Sequence, residues 1–175
     1  MSTMQADDGK HWFVAFVRPS QERVAARMLA RLGIECYLPV QNVKRKWSDR
    51  IKIVEQLVLP HMIFVHTDEP GRIRTLKEVP QIPRYMFDRA TKRSAIVPES
   101  QLLAFKAMVE HSSTPVTFVT AQLAPGDTVE IIEGPLKGNV CELVNFNGSK
   151  RIAVRIDMLG IALVEMNLDA VRKKA

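Results

Sequence analysis

The chain has 175 residues, one or two domains' worth, and with 46 % of them apolar it can bury a true core. Lys and Arg number 25 against 19 Asp and Glu, and the net +6 falls entirely in residues 1–113, which hold 18 basic and 12 acidic side chains, whereas residues 114–175 hold 7 of each. The first part can attract a polyanion and the second has no such bias. The opening MSTMQADDGKHW has two acids and no apolar run, and no stretch reaches the roughly 18 apolar residues of a membrane span, so a soluble cytoplasmic protein without a leader is expected.

Trp12 to Val17 (WFVAFV) is apolar on both alternating faces, which predicts a central strand covered on both sides. Arg18 and Pro19 end it. Ser20 stands where an N-cap would, Gln21 and Glu22 follow, and Val24, Ala25, Met28, Leu29 and Leu32 recur at helical spacing up to a C-capping Gly33. Arg23, Arg27 and Arg31 make a basic stripe opposite the apolar one. Ile34 to Val40 reads as a second strand. Asn42 to Val54 reads as a basic hairpin with its tip near Ser48 and Asp49, carrying Lys44, Arg45, Lys46, Arg50 and Lys52.

Leu57 to His66 is apolar but contains Pro60, which cannot donate to a central ladder, so its strand begins at or after His61 with Leu59 left on an edge. Asp68 and Pro70 open a short helix over Arg72 to Val79, which Pro80 and Pro83 end; Arg84 to Phe87 is one short strand. Pro98 and Glu99 open a helix with Leu102, Phe105, Met108 and Val109 as its apolar stripe. The predicted order is β, α, β, hairpin, β, α, β, α.

Residues 111–123 (HSSTPVTFVTAQL) carry no Lys, Arg, Asp or Glu and are rich in Ser, Thr and β-branched residues, the texture of a linker with local pairing. Beyond Pro125, short β runs alternate with turns: Thr128 to Glu133, Asn139 to Phe146, Arg151 to Met158 and Ile161 to Val164. Asn147-Gly148 signals a type I′ hairpin. About 50 residues of this pattern favour a small barrel over a sandwich. The expected domains are 1–110, ordered from about residue 11, the linker 111–123, and 124–175.

Chemistry-bearing motifs are sparse. His11, His61, His66 and His111 have no metal-ligand spacing, and Cys36 and Cys141 form neither a Cys-x-x-Cys pair nor a disulfide framework. Neither a P-loop, a Gly-x-Gly-x-x-Gly nor a Gly-x-Ser-x-Gly pattern occurs. A protein that is not an enzyme and uses no cofactor or metal is expected.

Gly126-Asp127-x-Val129-x-Ile131-x-x-Gly134-Pro135-x-x-Gly138 asks physically only for a tight loop between strands. The arrangement nevertheless resembles the KOW motif of small SH3-like barrels. Ahead of it come Trp12-Phe13-Val14, Ser20 to Arg23, Tyr37-Leu38-Pro39, Pro60-His61-Met62-Ile63-Phe64-Val65, Val79-Pro80 and Ile96-Val97-Pro98, in the order found in NusG N-terminal domains. The whole chain, from about residue 11 to 172, resembles a NusG-family transcription elongation and antitermination factor. Pro60-His61-Met62 replaces the Pro-Gly-Tyr of general NusG proteins, and Arg84-Tyr85-Met86-Phe87-Asp88 replaces a glycine-containing stretch. Both departures resemble the operon-specialised RfaH-like paralogues.

The resemblance implies an α+β protein: an N-terminal antiparallel sheet flanked by helices, then a small C-terminal SH3-like β-barrel. It implies docking on the clamp helices of RNA polymerase through Phe16, Leu59, Pro60, Met62 and Phe64, against the plain alternative that apolar strand residues are core. It implies contact with upstream or non-template DNA through Arg18, Gln21 and Arg23, whose side chains can reach base edges. Lys44, Arg45 and Lys46 could follow a nucleic-acid backbone with Trp47 stacking, or form a solvated loop. The barrel is implied to recruit Rho or a small-subunit ribosomal protein. A ribosome-associated or RNA-binding KOW protein is the competing reading, and the neutral charge of residues 114–175 speaks against it.

Overall fold

The computed structural model describes residues 8–120 and 123–174. In chain order the strands are β1 (His11–Phe16), β2 (Glu35–Tyr37), β3 (Val40–Lys46), β4 (Ile51–Leu57), β5 (Met62–Thr67), β6 (Arg84–Tyr85), β7 (Phe87–Asp88), β8 (Arg93–Ser94), β9 (Ile96–Val97), β10 (Thr117–Val119), β11 (Asp127–Ile131), β12 (Val140–Phe146), β13 (Ser149–Ile156), β14 (Gly160–Val164) and β15 (Val171–Lys173). The helices are α1 (Glu22–Arg31), α2 (Glu69–Glu78) and α3 (Glu99–His111). The chain divides into two compact units, one ending at Leu38 and resuming over Pro60–Glu99, the other made of Pro39–Leu59 and Ser100 onward.

In the first unit an antiparallel sheet runs β2-β5-β1-β6, with β9 also on β1. The doubly apolar β1 is central, as its sequence predicts: Phe13, Val14 and Ala15 are all buried. Phe13, Ala15, Val17, Ile63 and Val65 face Ala25 and Leu29 of α1 and join Val79, Ile82 and Tyr85 in one core cluster. The opposite face carries the cross-strand pairs Trp12–His66, Val14–Phe64 and Phe16–Met62. Each large side chain buried in the cluster contributes about 1.5–3 kcal/mol.

Helix α1 starts differently from the expectation. Ser20 is not its N-cap; it sits at φ 63°, and Gln21 holds the cap position without a side-chain hydrogen bond. The turn closed by Gln21 N–H on the Arg18 carbonyl (3.0 Å) moves the helix start one residue on. Glu22 is buried, and its carboxylate accepts from the His61 backbone N–H at 3.2 Å, which holds His61 at φ 66°. Gly33, at φ 72°, ends the helix as expected. In α2 the Asp68 carboxylate caps the Gly71 N–H at 2.8 Å.

The single strand expected over Arg84 to Phe87 is two. Met86 lies between β6 and β7, donates to Val14 O and accepts from Ala95 N–H, both at 2.8 Å, so β6 stays on β1 while β7 leaves to pair with β8. Sequence reading also passes over β8, β9, β10 and β15, which have two or three residues each.

In the second unit β3 and β4 form the expected hairpin, from Val40–Leu57 to Lys46–Ile51, closed by Trp47 N–H on Arg50 O at 2.7 Å. The six-stranded antiparallel sheet β10-β14-β13-β12-β11-β15 forms the small C-terminal barrel-like fold. Within the stretch read as a linker, Thr117–Val119 is therefore a strand, paired with β14. Asn147 and Gly148, at φ 49° and 80°, make the I′ turn their sequence announces. The apolar stripe of α3 is buried as expected. The architecture is α+β.

Candidate binding surfaces

The residues expected to dock on polymerase divide by burial. Phe64 is fully buried and Leu59 is 4 % exposed; Phe16 and Met62 are half-buried and Pro60 is exposed. Leu59 is thus not left on an open edge. The turn between β4 and β5 folds its side chain inward, as a large aliphatic group is driven to do. Phe16 and Met62 are direct cross-strand partners on β1 and β5. The Arg84 guanidinium lies 4.0 Å from the centre of the Phe16 ring and screens part of it from water. Trp12 stacks on His66 at 4.9 Å, and His66 is hydrogen-bonded to Glu35 at 3.0 Å.

Among the residues expected at nucleic acid, Arg18 and Arg23 are exposed and Gln21 is half-buried, all three at the entry to α1. Arg18 Nε donates to Pro80 O at 3.2 Å, which orients its guanidinium. Lys44, Arg45 and Lys46 are exposed, but the hairpin register separates them. Lys44 and Lys46 share a face with Ile53 and Ile51, whereas Arg45 lies opposite with Lys52 and donates to Gln56 Oε1 at 3.3 Å. Lys52 Nζ lies 5.6 Å from the Trp47 ring. Sequence reading missed the exposed Ile51 and Ile53 (69 % and 64 %); their alternation with Lys44 and Lys46 across the hairpin was the available signal.

Of the residues expected to form a KOW motif, Gly126 and Asp127 stand at the start of β11, and Gly134, Pro135 and Gly138 lie in the β11–β12 connection. Gly126 leads into β11, its N–H 3.3 Å from Glu142 Oε1, and Asp127 pairs with Lys173 at 3.3 Å. Gly134 and Gly138 have φ of 84° and 91° on either side of Pro135. The loop closes through Gly138 N–H on Ile131 O (2.8 Å), and Leu136 is buried. Glu142 is held by Arg155 at 3.0 Å.

The model of the family described as NusG, transcription termination factor, matches residues 10–106. The chain belongs to the NusG family. Among solved structures, NusG from Thermotoga maritima, studied for its domain interaction, superposes with a TM-score of 0.50 at 15 % identity over 94 % of this chain and 97 % of that one. This likeness shows the fold. The MjSpt4:Spt5 complex in conformation A matches over 94 % of this chain and 98 % of that chain at 14 % identity, but its TM-score of 0.32 is too low to carry weight. No curated protein matches the chain. Family membership supports a role as a transcription elongation factor.

Among the described residues no cluster of three or more His, Cys, Asp or Glu could hold a metal ion, and no helix is long and apolar enough to cross a membrane. Both cysteines are free thiols. Burial pushes the Cys141 thiol from 9.0 up to about 11. Below pH 9 the thiol is protonated in folded and unfolded chains alike; between 9 and about 11 only the unfolded chain ionises, so stability falls as pH rises through that window, by up to about 1.4 kcal/mol per pH unit. Urea unfolding of the parent protein and Cys141→Ala at pH 8, 9, 10 and 11 should show the parent losing stability more steeply above pH 9. Parallel curves would remove Cys141 as the cause.

Proposed function

We propose that this protein is an operon-specialised elongation and antitermination factor that binds RNA polymerase through the Phe16–Met62 face of its first sheet. The carrying observation is that pair: adjacent across two strands, half-buried, and on the face opposite the α1 core, so that a helical partner can cover it without disturbing that core. Pro60 is exposed and extends the surface, and the fully buried Phe64 shares its sheet face with Met62. Specialisation rests on the Pro60-His61-Met62 and Arg84 to Asp88 departures. The domains proposed are 1–110 for polymerase and DNA, a connection over 111–123, and 124–175 for a protein partner such as Rho or a small-subunit ribosomal protein. The cytoplasm is the proposed location, and no enzymatic step is assigned.

The test is co-purification of the tagged full chain from nuclease-treated lysate. Enrichment of polymerase supports the reading. Enrichment of ribosomes without polymerase replaces it with the ribosome-associated one.

DNA contact is proposed for the entry to α1. Binding to an upstream-fork DNA should weaken steeply with salt, and Arg23→Ala should lower the slope of log K against log salt by about 1, as for one lost phosphate contact. Arg18→Ala should weaken binding too, while also releasing Pro80 O. An unchanged slope in Arg23→Ala places its side chain away from the backbone.

A further inference from the structure

On the α1 and α2 side of the first sheet, opposite Phe16 and Met62, lies a cleft of about 700 Å³ that no proposed function uses. Phe13 and Tyr85 of the sheet, Leu76 and Arg72 of α2, and Phe87, Arg93 and Ser94 of the β7–β8 hairpin line it. Tyr85 is held in place. The Tyr85 hydroxyl is hydrogen-bonded to Thr75 at 2.6 Å, and Arg72 lies over the Tyr85 ring at 5.5 Å while bound to Glu69 through Nε at 3.0 Å. The Arg72 hydrogen bond also holds the Glu69 carboxyl below its usual range.

Three large apolar side chains stay open to water at this cleft: Phe87 at 59 %, Ile96 at 47 % and Leu76 at 37 %. Beside them stand Lys92 and Arg93. The acids nearby are engaged: Glu69 is hydrogen-bonded to Arg72 and also feels the charge of Arg93, and Asp88 accepts from Ala90 N–H at 2.9 Å and Thr91 Oγ1 at 3.0 Å to close the hairpin turn. The cleft thus pairs an apolar wall with the cations Lys92 and Arg93, with Arg84 and the Glu69-bound Arg72 also in its lining, in a preformed space of ligand-binding size. We propose that it docks a short acidic segment of a partner protein, with one bulky apolar side chain entering against Phe87, Ile96 and Leu76 and flanking carboxylates meeting Lys92 and Arg93. Charge complementarity favours an acidic occupant, and the walls favour a peptide over nucleic acid. Two of the three exposed apolar side chains, Ile96 and Leu76, offer no flat face on which a base could stack.

The test is a titration of the ¹⁵N-labelled full chain followed by amide shifts, with three probes: the peptide Asp-Glu-Leu-Phe-Glu-Asp, its charge-reversed form Lys-Lys-Leu-Phe-Lys-Lys, and a twelve-residue oligothymidylate. Saturable shifts around Phe87, Lys92, Arg93 and Ile96 are expected with the acidic peptide only, weakened several-fold by salt. Phe87→Ser and Arg93→Glu should each raise its Kd by about tenfold or more with the thermal midpoint unchanged, since both side chains are exposed in the free protein. Should one variant unfold, Lys92→Glu carries the same expectation. Tighter binding of oligothymidylate, equal binding of the charge-reversed peptide, no shift with the acidic peptide, or unchanged affinity in the folded variants overturns the proposal.

Discussion

Met62→Asp should abolish binding to RNA polymerase, or to its isolated clamp helices, while the protein stays folded. Met62 is half-buried and pairs with Phe16 on an apolar sheet face. In the free protein a carboxylate there can still reach water, so the cost in stability should be about 1 kcal/mol. At a covered interface the same carboxylate is desolvated without a partner, a cost of several kcal/mol that corresponds to a loss of two or more orders of magnitude in affinity. Phe64→Asp is the control for the opposite outcome: Phe64 is fully buried, so this variant should unfold the sheet and lose binding for that reason alone. Binding constants and thermal midpoints measured side by side separate the two cases. Met62→Asp with normal affinity removes Met62 from the interface, and Met62→Asp with a collapsed midpoint assigns it to the core.

Gly126→Ala should destabilise the barrel by about 3 kcal/mol, more than alanine at Gly134 or Gly138. A Cβ at Gly126 would lie 1.9 Å from the Leu143 carbonyl oxygen and 2.6 Å from its carbon, backbone atoms of the neighbouring strand that cannot swing aside. Alanine at Gly134 or Gly138 meets open space; its cost is only the positive φ, about 1–2 kcal/mol. Hydrogen exchange of the barrel amides Val129, Ile131 and Ile152 in the full chain reads the effect on this fold directly. If Gly126→Ala proves as mild as Gly134→Ala, the strands separate more easily than their spacing implies.

The glycines of the barrel show where sequence reading stops. Gly134 and Gly138 flank a proline in a turn, and Asn147-Gly148 sits between two apolar runs, so their positive φ values follow from local chemistry. The requirement at Gly126 comes from Leu143, a residue of another strand, and no spacing in the sequence reveals it. The same division holds across the chain. The doubly apolar β1, the stripes of α1 and α3, the exposed Arg23, Arg27 and Arg31, the delayed start of β5 after Pro60 and the tip of the basic hairpin were all legible, because periodicity and proline act over a few residues.

What the tertiary structure alone decided are the relations between distant segments. Ser20 lost the N-cap to a turn closed on Arg18, and Glu22 was drawn inside by the His61 amide 39 positions later. Leu59 and Phe64 went inside while Met62 and Phe16 stayed partly open, since a strand's alternation states which residues share a face but not what covers it. Lys44 and Lys46 parted from Arg45 through the hairpin register. The cleft beside Phe87 joins residues of β1 and α2 to those of β6, β7, β8 and β9, four strands of only two residues each, and a segment that short carries no period to read. By itself the sequence determined the longer elements, the charge asymmetry and the family resemblance; burial and long-range pairing, which depend on every element at once, decided the two- and three-residue strands and which side chains remain available to a partner.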